Sequence, residues 1–200
     1  MTLQEICTNA IQAGHDIDLT GCNYGPHKRT NQILGIQMYY YFLAGLVRSL
    51  GLKKILEIGT SHGGSILAMA RGCGIDAPGV KLVTVDKKDI AGEALVSQNQ
   101  ITRLLGDSLA AATLKQVQKH LAAPIDLLYI DSKHSRDHVL GNITNYGRAL
   151  RPRFIVLDDI HLNEEMEGVW AELKARYGER AFDVSDLANR DCGFGLLSEA

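Results

Sequence analysis

The sequence predicts a doubly wound α/β domain, and three observations predict it. Short, continuously apolar runs alternate with longer stretches that carry apolar residues at helical spacing. Each of the first five runs carries a carboxylate at or just after its end. The last two runs are separated only by residues 185–193, too few for a parallel crossover, so they must pair antiparallel. A parallel sheet with right-handed crossovers, finished by an antiparallel carboxy-terminal hairpin, is the expected architecture.

Taken in order, residues 3–13 and about 30–50 read as helices joined by a polar, turn-rich loop at 14–29. Residues 1–50 are expected to form a helical cap on a domain spanning 51–200. Within this cap, 23–29 could be a lid or a surface loop. The aromatic run Tyr39, Tyr40, Tyr41, Phe42 could face a substrate or pack on the sheet. Strands are expected at 54–58, 81–85, 101–105, 125–130 and 154–157. Helices are expected at 65–71, 90–98, 108–121 and 135–150, where Ser108 and Ser135 are placed to cap the last two. A helix at 163–177 and strands at 181–184 and 194–197 complete the chain.

Composition narrows the function. The chain has 200 residues, of which 46% are apolar and 22% charged, which suits a globular domain with a full-sized core. Its net charge of −2 leaves no basic excess for coating nucleic acid. Cys7, Cys22, Cys73 and Cys192 are scattered, which fits neither a zinc site nor a disulfide framework but does fit reduced thiols. The most apolar stretch, 33–47, is interrupted by Gln37 and two glycines and is too short for a membrane span. The amino end lacks the features of a secretory leader. A cytoplasmic protein acting on a small molecule is expected, and the helix near residue 40 offers a surface for a homodimer.

Ligands of doubly wound sheets bind at the carboxyl ends of the strands. There the sequence places Glu57, Gly59, Thr60, Ser61, His62, Gly63, Gly64 and Ser65, then Asp86, then Gly106, Asp107 and Ser108. Asp131, Ser132, Lys133 and His134 follow, and finally Asp158, Asp159 and His161. Glycines 59, 63 and 64 let the backbone turn tightly before a helix whose amide end favours anionic groups. The dinucleotide fingerprint would want glycine at 61, where Ser61 stands, and Glu57 would crowd a pyrophosphate. A ligand with a ribose and a cationic centre fits better, with Asp86 placed to accept from a ribose diol.

Read together, five segments resemble the class I S-adenosylmethionine-dependent methyltransferases. They are 55–65, 83–86, 106–108, 126–131 with His134, and 155–159. Within that class the chain is similar to the small O-methyltransferases, including the cephalosporin-hydroxylase-like and catechol-type groups. The resemblance covers about residues 30–200. It implies a Rossmann-like sheet of order 3-2-1-4-5-7-6 with strand 7 antiparallel, and S-adenosylmethionine as cofactor. By the same resemblance Glu57, Gly59, Thr60, Ser61, Gly63 and Ser65 line the methionine end. Asp86 holds the ribose, Asp107 and Ser108 read the adenine, and Asp131 borders the cofactor. For Asp107, capping the next helix is a second role compatible with the first. Members commonly carry Pro-Gly-Gly before the fifth strand, where this chain has Arg151, Pro152 and Arg153.

The resemblance also implies a divalent cation, Mg²⁺ or a substitute, held by Asp131, Asp158 and Asp159. Three carboxylates in one cleft would otherwise repel one another and raise each other's pKa. Asp159 departs from the asparagine of catechol-type enzymes. His134 stands three residues after Asp131, where catechol-type enzymes place a lysine, and Lys133 is adjacent. With His161, these are the candidates to take the acceptor's proton. The expected function is methyl transfer from S-adenosylmethionine to an oxygen of a small-molecule acceptor, assisted by the cation. The alternatives are a metal-independent N- or O-methyltransferase with a histidine base, and a catalytically silent cofactor-binding partner subunit. A nicotinamide oxidoreductase is disfavoured by Ser61 and by the hairpin.

Overall fold

The computed structural model describes residues 1–26, 30 and 32–199. Its centre is a seven-stranded sheet of β1 (Lys54–Ile58), β2 (Lys81–Asp86), β3 (Ile101–Leu105), β4 (Leu127–Ile130), β5 (Phe154–Asp158), β6 (Ala181–Asp183) and β7 (Phe194–Ser198). The order is β3-β2-β1-β4-β5-β7-β6, as expected. The first five strands are parallel, and β7 runs antiparallel to both β5 and β6.

Strand alternation divides the core into two layers. Ile55, Leu127, Tyr129, Val156 and Phe194 face one layer, covered by α1 (Leu3–His15), α2 (Met38–Leu50) and α3 (Gly64–Cys73). Leu56, Ile58, Leu128, Ile130 and Ile155 face the other, covered by α5 (Ala111–His120), α6 (Arg136–Leu150) and α7 (Glu164–Tyr177). The buried faces of the central strands thus explain why their sequences are apolar without interruption.

The amino-terminal helices belong to the first layer. Thr2 and Glu5 form a reciprocal cap that starts α1. The α2 helix is buried along most of its length and crosses α1 closely. A Cβ at Gly45 would stand 1.8 Å from the carbonyl oxygen of Ala10, so only glycine permits that approach. Tyr39, Tyr40 and Phe42 are buried, which places most of the aromatic run in the core.

Several local expectations differ from the structure. The helix expected at 90–98 is a single turn, α4 (Glu93–Val96). Ala110, not Ser108, is the N-cap of α5, and Ser135 occupies the N-cap of α6 without a side-chain hydrogen bond. Gly25–Pro26 pairs with Ile33–Leu34 as a short ribbon. The connection between β6 and β7 holds the short helix α8 (Ser185–Ala188). Arg151 ends α6 in a left-handed conformation, φ 47°, the conformation a glycine there would adopt more easily. No helix among the described residues is long and apolar enough to cross a membrane.

Candidate active site

The first βα loop is organised from beneath. Glu57 is fully buried and accepts hydrogen bonds from Ser65 Oγ, at the start of α3, and from Thr84 Oγ1 on β2. Thr84 shares a further bond of 2.6 Å with Thr60 Oγ1. Burial pushes the Glu57 carboxyl up to about 8, against these two hydrogen bonds. Glu57 therefore holds the loop's shape from below and does not reach the wall of the cleft. Above it, α3 begins at Gly63 with no side-chain cap, so its first amides are not engaged by a capping side chain. Gly59 lies so close to β4 that a Cβ would stand 1.7 Å from the carbonyl oxygen of Asp131.

A cleft of about 750 Å³ opens over β1, β2 and β4. Gly59, Ser61, Asp86, Gly106, Ser108, Asp131 and Lys133 line it, as does His138, which the sequence reading left without a role. Asp86 accepts from the backbone N–H of Ser61 at 2.8 Å and of Lys88 at 2.9 Å, which fixes its carboxylate at the mouth. Ser108 Oγ lies 3.4 Å from His138 Nε2, and Tyr146 Oη donates to the Ser108 carbonyl at 2.9 Å. His138 comes from α6, thirty residues beyond Ser108, so no local pattern in the sequence joins the two. Its pKa is lowered, chiefly by burial and next by Lys87. Asp107, which is not among the residues lining the cleft, pairs with Lys87 at 2.9 Å and accepts from Leu109 N–H. These contacts hold its carboxyl below the usual range.

A smaller hollow of about 150 Å³ adjoins, under Tyr24 and Tyr40 and against residues 59–65. Asp131 borders both spaces. Of the loop read as a lid or a surface turn, Tyr24 thus reaches the site, whereas residues 27–29 lie outside the described residues.

On the other side stand the three aspartates expected to bind a cation. Five of their six oxygens face a protein donor, and the sixth, Asp131 Oδ1, lies beyond hydrogen-bond distance of any among the described residues. Asp158 Oδ1 and Oδ2 accept from Arg190 Nε and Nη2 at 2.9 and 2.8 Å, and Asp159 Oδ1 accepts from Nη2 at 2.7 Å. Asp159 Oδ2 lies 3.4 Å from His134 Nδ1, and Asp131 Oδ1 lies 3.7 Å from His134 Nε2. Asp131 Oδ2 accepts from Tyr129 Oη at 3.2 Å. Among the described residues no group of three or more His, Cys, Asp or Glu side chains is disposed to hold a metal ion. As arranged, Asp131, Asp158 and Asp159 do not fit a resident Mg²⁺: a guanidinium stands between two of the ligands expected for it.

Burial pushes the Asp158 carboxyl well above the usual range, Asp131 adds to this, and the Arg190 hydrogen bonds oppose it. Asp159 is raised for the same first reason, with Arg190 and His134 opposing. For His134, burial lowers the pKa, but Asp131, Asp159 and Asp158 outweigh it and the net shift is upward. His134 Nε2 is buried without a hydrogen bond, facing Asp131 Oδ1. His161 is placed elsewhere. Its Nε2 lies 2.7 Å from Asp183 Oδ2, and it lines a pocket with Ser185, Asn189 and Arg190.

A family model described as Rhamnosyl O-methyltransferase/CmcI matches residues 36–186. No curated protein matches the chain in sequence. Among solved structures, the O-methyltransferase TomG from Streptomyces achromogenes, involved in tomaymycin synthesis and bound to SAM, aligns with a TM-score of 0.67. It is 19% identical, and the alignment covers 100% of each chain. An O-methyltransferase from Bacillus cereus in complex with SAH aligns with a TM-score of 0.62 at 20% identity, over 98% of this chain and 91% of that one. MycE from the mycinamycin biosynthetic pathway, in complex with Mg, SAH and mycinamycin VI, aligns with a TM-score of 0.53 at 16% identity. That match covers 76% of this chain and 46% of MycE. At these identities the likeness is one of fold.

Proposed function

We propose, for a chain that belongs to the Rhamnosyl O-methyltransferase/CmcI family, that it moves a methyl group from S-adenosylmethionine to a hydroxyl oxygen of a small molecule. The observation that carries this reading is the junction at Asp131. There a cleft with a fixed carboxylate, Asp86, meets the glycine loop, and Asp131 in turn faces His134, which Asp159 flanks on its other nitrogen. The residues present fit the donor. Asp86 offers acceptors to a ribose diol, Ser108 and His138 flank the adenine end, and Gly59, Thr60, Ser61, Gly63 and Ser65 line the hollow for the methionine end.

When bound, S-adenosylmethionine supplies an electrophilic methyl group on a positively charged sulfur. The carboxylates around Asp131 favour such a charge. Gly59 and Asp131 border both spaces and fix the two ends of the donor relative to each other, and enforced alignment is a large part of any transfer between two bound molecules. His134 accepts the acceptor's hydroxyl proton on Nε2, with Asp159 facing Nδ1 to orient the ring. The oxygen bonds to the methyl carbon as the carbon–sulfur bond breaks, and the electron pair stays on sulfur. Lys133 borders the same cleft and helps to balance its carboxylates. A divalent cation at Asp131, Asp158 and Asp159 is not part of this reading, because Arg190 already engages Asp158 and Asp159.

Calorimetric titration of S-adenosylmethionine and S-adenosylhomocysteine tests the donor, on wild type and on His134→Ala. Both proteins should bind both compounds, and only wild type should then methylate a hydroxylated acceptor found by screening. Failure of folded wild type to bind either compound would sink the methyltransferase reading. Full turnover by His134→Ala would remove the histidine from the mechanism.

A further inference from the structure

We propose that Arg190 is a built-in replacement for the divalent cation, so that this site works with a guanidinium where a metal ion was expected. The proposal takes from the methyl-transfer reading only the site's purpose. Its physical basis is the position of one side chain.

That position is over-determined. The guanidinium fork matches the two oxygens of Asp158 and reaches Asp159 with the second hydrogen on Nη2. One face of the guanidinium lies over the Tyr39 ring, 4.8 Å from its centroid. Behind it the backbone is tied down. Arg190 N–H donates to the Ser185 carbonyl and Gly193 N–H to the Arg190 carbonyl, each at 3.0 Å. The same turn is fastened to the end of β5, since Asp159 N–H donates to the Gly193 carbonyl at 2.9 Å and His161 N–H to the Cys192 carbonyl at 2.8 Å. Arg190 is therefore carried into the site by the turn that closes the β6–β7 connection, and a surface side chain folded over by chance would lack these ties.

A guanidinium at this point changes what the site can do. Like a metal ion it neutralises converging carboxylates and holds them apart in fixed geometry. Unlike a metal ion it has no open coordination position and cannot take an acceptor oxygen as a ligand. The work of removing the hydroxyl proton then falls to a base. His134, placed against Asp131 and Asp159 with no hydrogen bond on Nε2, is the nearby candidate. An arginine in the cation's place and a histidine with an unengaged nitrogen form one consistent arrangement.

Mn²⁺ is the probe, followed by calorimetry and thermal melting on wild type, Arg190→Ala, Arg190→Gln and the double variant Arg190→Ala/Asp159→Ala. Wild type should show no specific Mn²⁺ site at concentrations up to about 1 mM. Arg190→Ala should bind one ion at least roughly tenfold more tightly than wild type. Mn²⁺ should raise its melting temperature and leave that of wild type unchanged. The double variant should lose the gain. One Mn²⁺ held by wild type and released by Asp159→Ala would overturn the proposal. A folded Arg190→Ala or Arg190→Gln that takes up no ion would do the same, because carboxylates relieved of the guanidinium should accept one. Far-UV circular dichroism identifies the folded variants, and if neither folds the wild-type titration decides alone. S-adenosylhomocysteine titrated into the same wild-type sample keeps the two readings separate. Its failure to bind removes the methyl-transfer reading and leaves the Mn²⁺ result standing.

Discussion

The two halves of the sheet's carboxyl edge are built on different principles. Over β1, β2 and β3 the site is made of backbone: a glycine turn, the uncapped start of α3, and a carboxylate held by two amides. Over β4, β5 and β7 it is made of side-chain charge, with Asp158 and Asp159 paired to Arg190, and Asp131 and Asp159 flanking His134. The first half's turn geometry lies in the main chain, braced from beneath by the buried Glu57 network. The second has no such reserve, and its charges stand or fall together.

That difference predicts the largest effect at Arg190. Removing one partner of a buried ion pair leaves the other uncompensated, and Asp158 is almost wholly buried. Arg190→Ala should lose about 3–5 kcal/mol of stability at neutral pH, read by urea unfolding. The loss should shrink in acid, where the stranded carboxylates take up protons. A loss below about 1 kcal/mol at neutral pH would mean that the network contributes no more than a surface ion pair.

The two halves also differ in how much of them was legible in the sequence. The order of the strands, the glycine loop and Asp86 are local signals, because each belongs to one strand and the few residues after it. Arg190 is not. Residues 185–193 read as a connection whose brevity forces antiparallel pairing, and that inference holds. Nothing in it indicates that the connection turns one arginine back 31 residues to Asp159. The closeness of Asp131, Asp158 and Asp159 is expected from their strand ends and argues for a divalent cation, whereas the structure sets Arg190 against Asp158 and Asp159. The identity of the balancing group was not legible, since spacing reports where charge must be balanced and says nothing of what balances it. His138 escaped notice for a similar reason: it reaches the cleft from inside a helix, not from a strand end.

Glu57 sharpens the comparison through pH. Its folded-state pKa of about 8 lies above the ordinary 4.5, so between those values the folded protein holds a proton that the unfolded chain has released. Its contribution to stability is therefore complete below about 4.5 and is lost as pH rises through about 8. Glu57→Gln imitates the protonated form and should abolish this dependence, which approaches about 1.4 kcal/mol per pH unit inside the window. Parallel unfolding curves of the two proteins from about pH 6 to pH 8 measure it. If both slopes are equal, Glu57 is ionised in the folded protein and the buried network is wired differently.

A smaller effect is expected at Asp86, which serves binding more than folding. Losing a carboxylate that accepts from a ribose diol removes about 1.5–3 kcal/mol. Asp86→Ala should thus weaken S-adenosylhomocysteine roughly 10- to 100-fold in calorimetry. Ser61 and Lys88 would lose their shared acceptor as well, but both amides lie at the cleft mouth, where water can replace it. Unchanged affinity would move the ribose away from the end of β2.

The smallest effect separates the two halves most cleanly. Ser61 adopts φ 45°, a left-handed conformation that glycine enters more easily than any residue with a Cβ. In sequence Ser61 argued against a dinucleotide loop. In the structure its backbone turns as a glycine would and directs its N–H to Asp86. Ser61→Gly should therefore keep donor affinity within about twofold, because the contact to Asp86 is made by the main chain. Relief of the left-handed strain, about 1 kcal/mol, is offset in part by the greater freedom that glycine has when unfolded, so the net change in stability should stay within about 0.5 kcal/mol. A large loss of affinity would show that the serine hydroxyl, which lies 3.2 Å from His62 Nδ1, is itself part of the donor site. The donor half would then depend on side chains as the acceptor half does, and the contrast between them would fail at its most sensitive point.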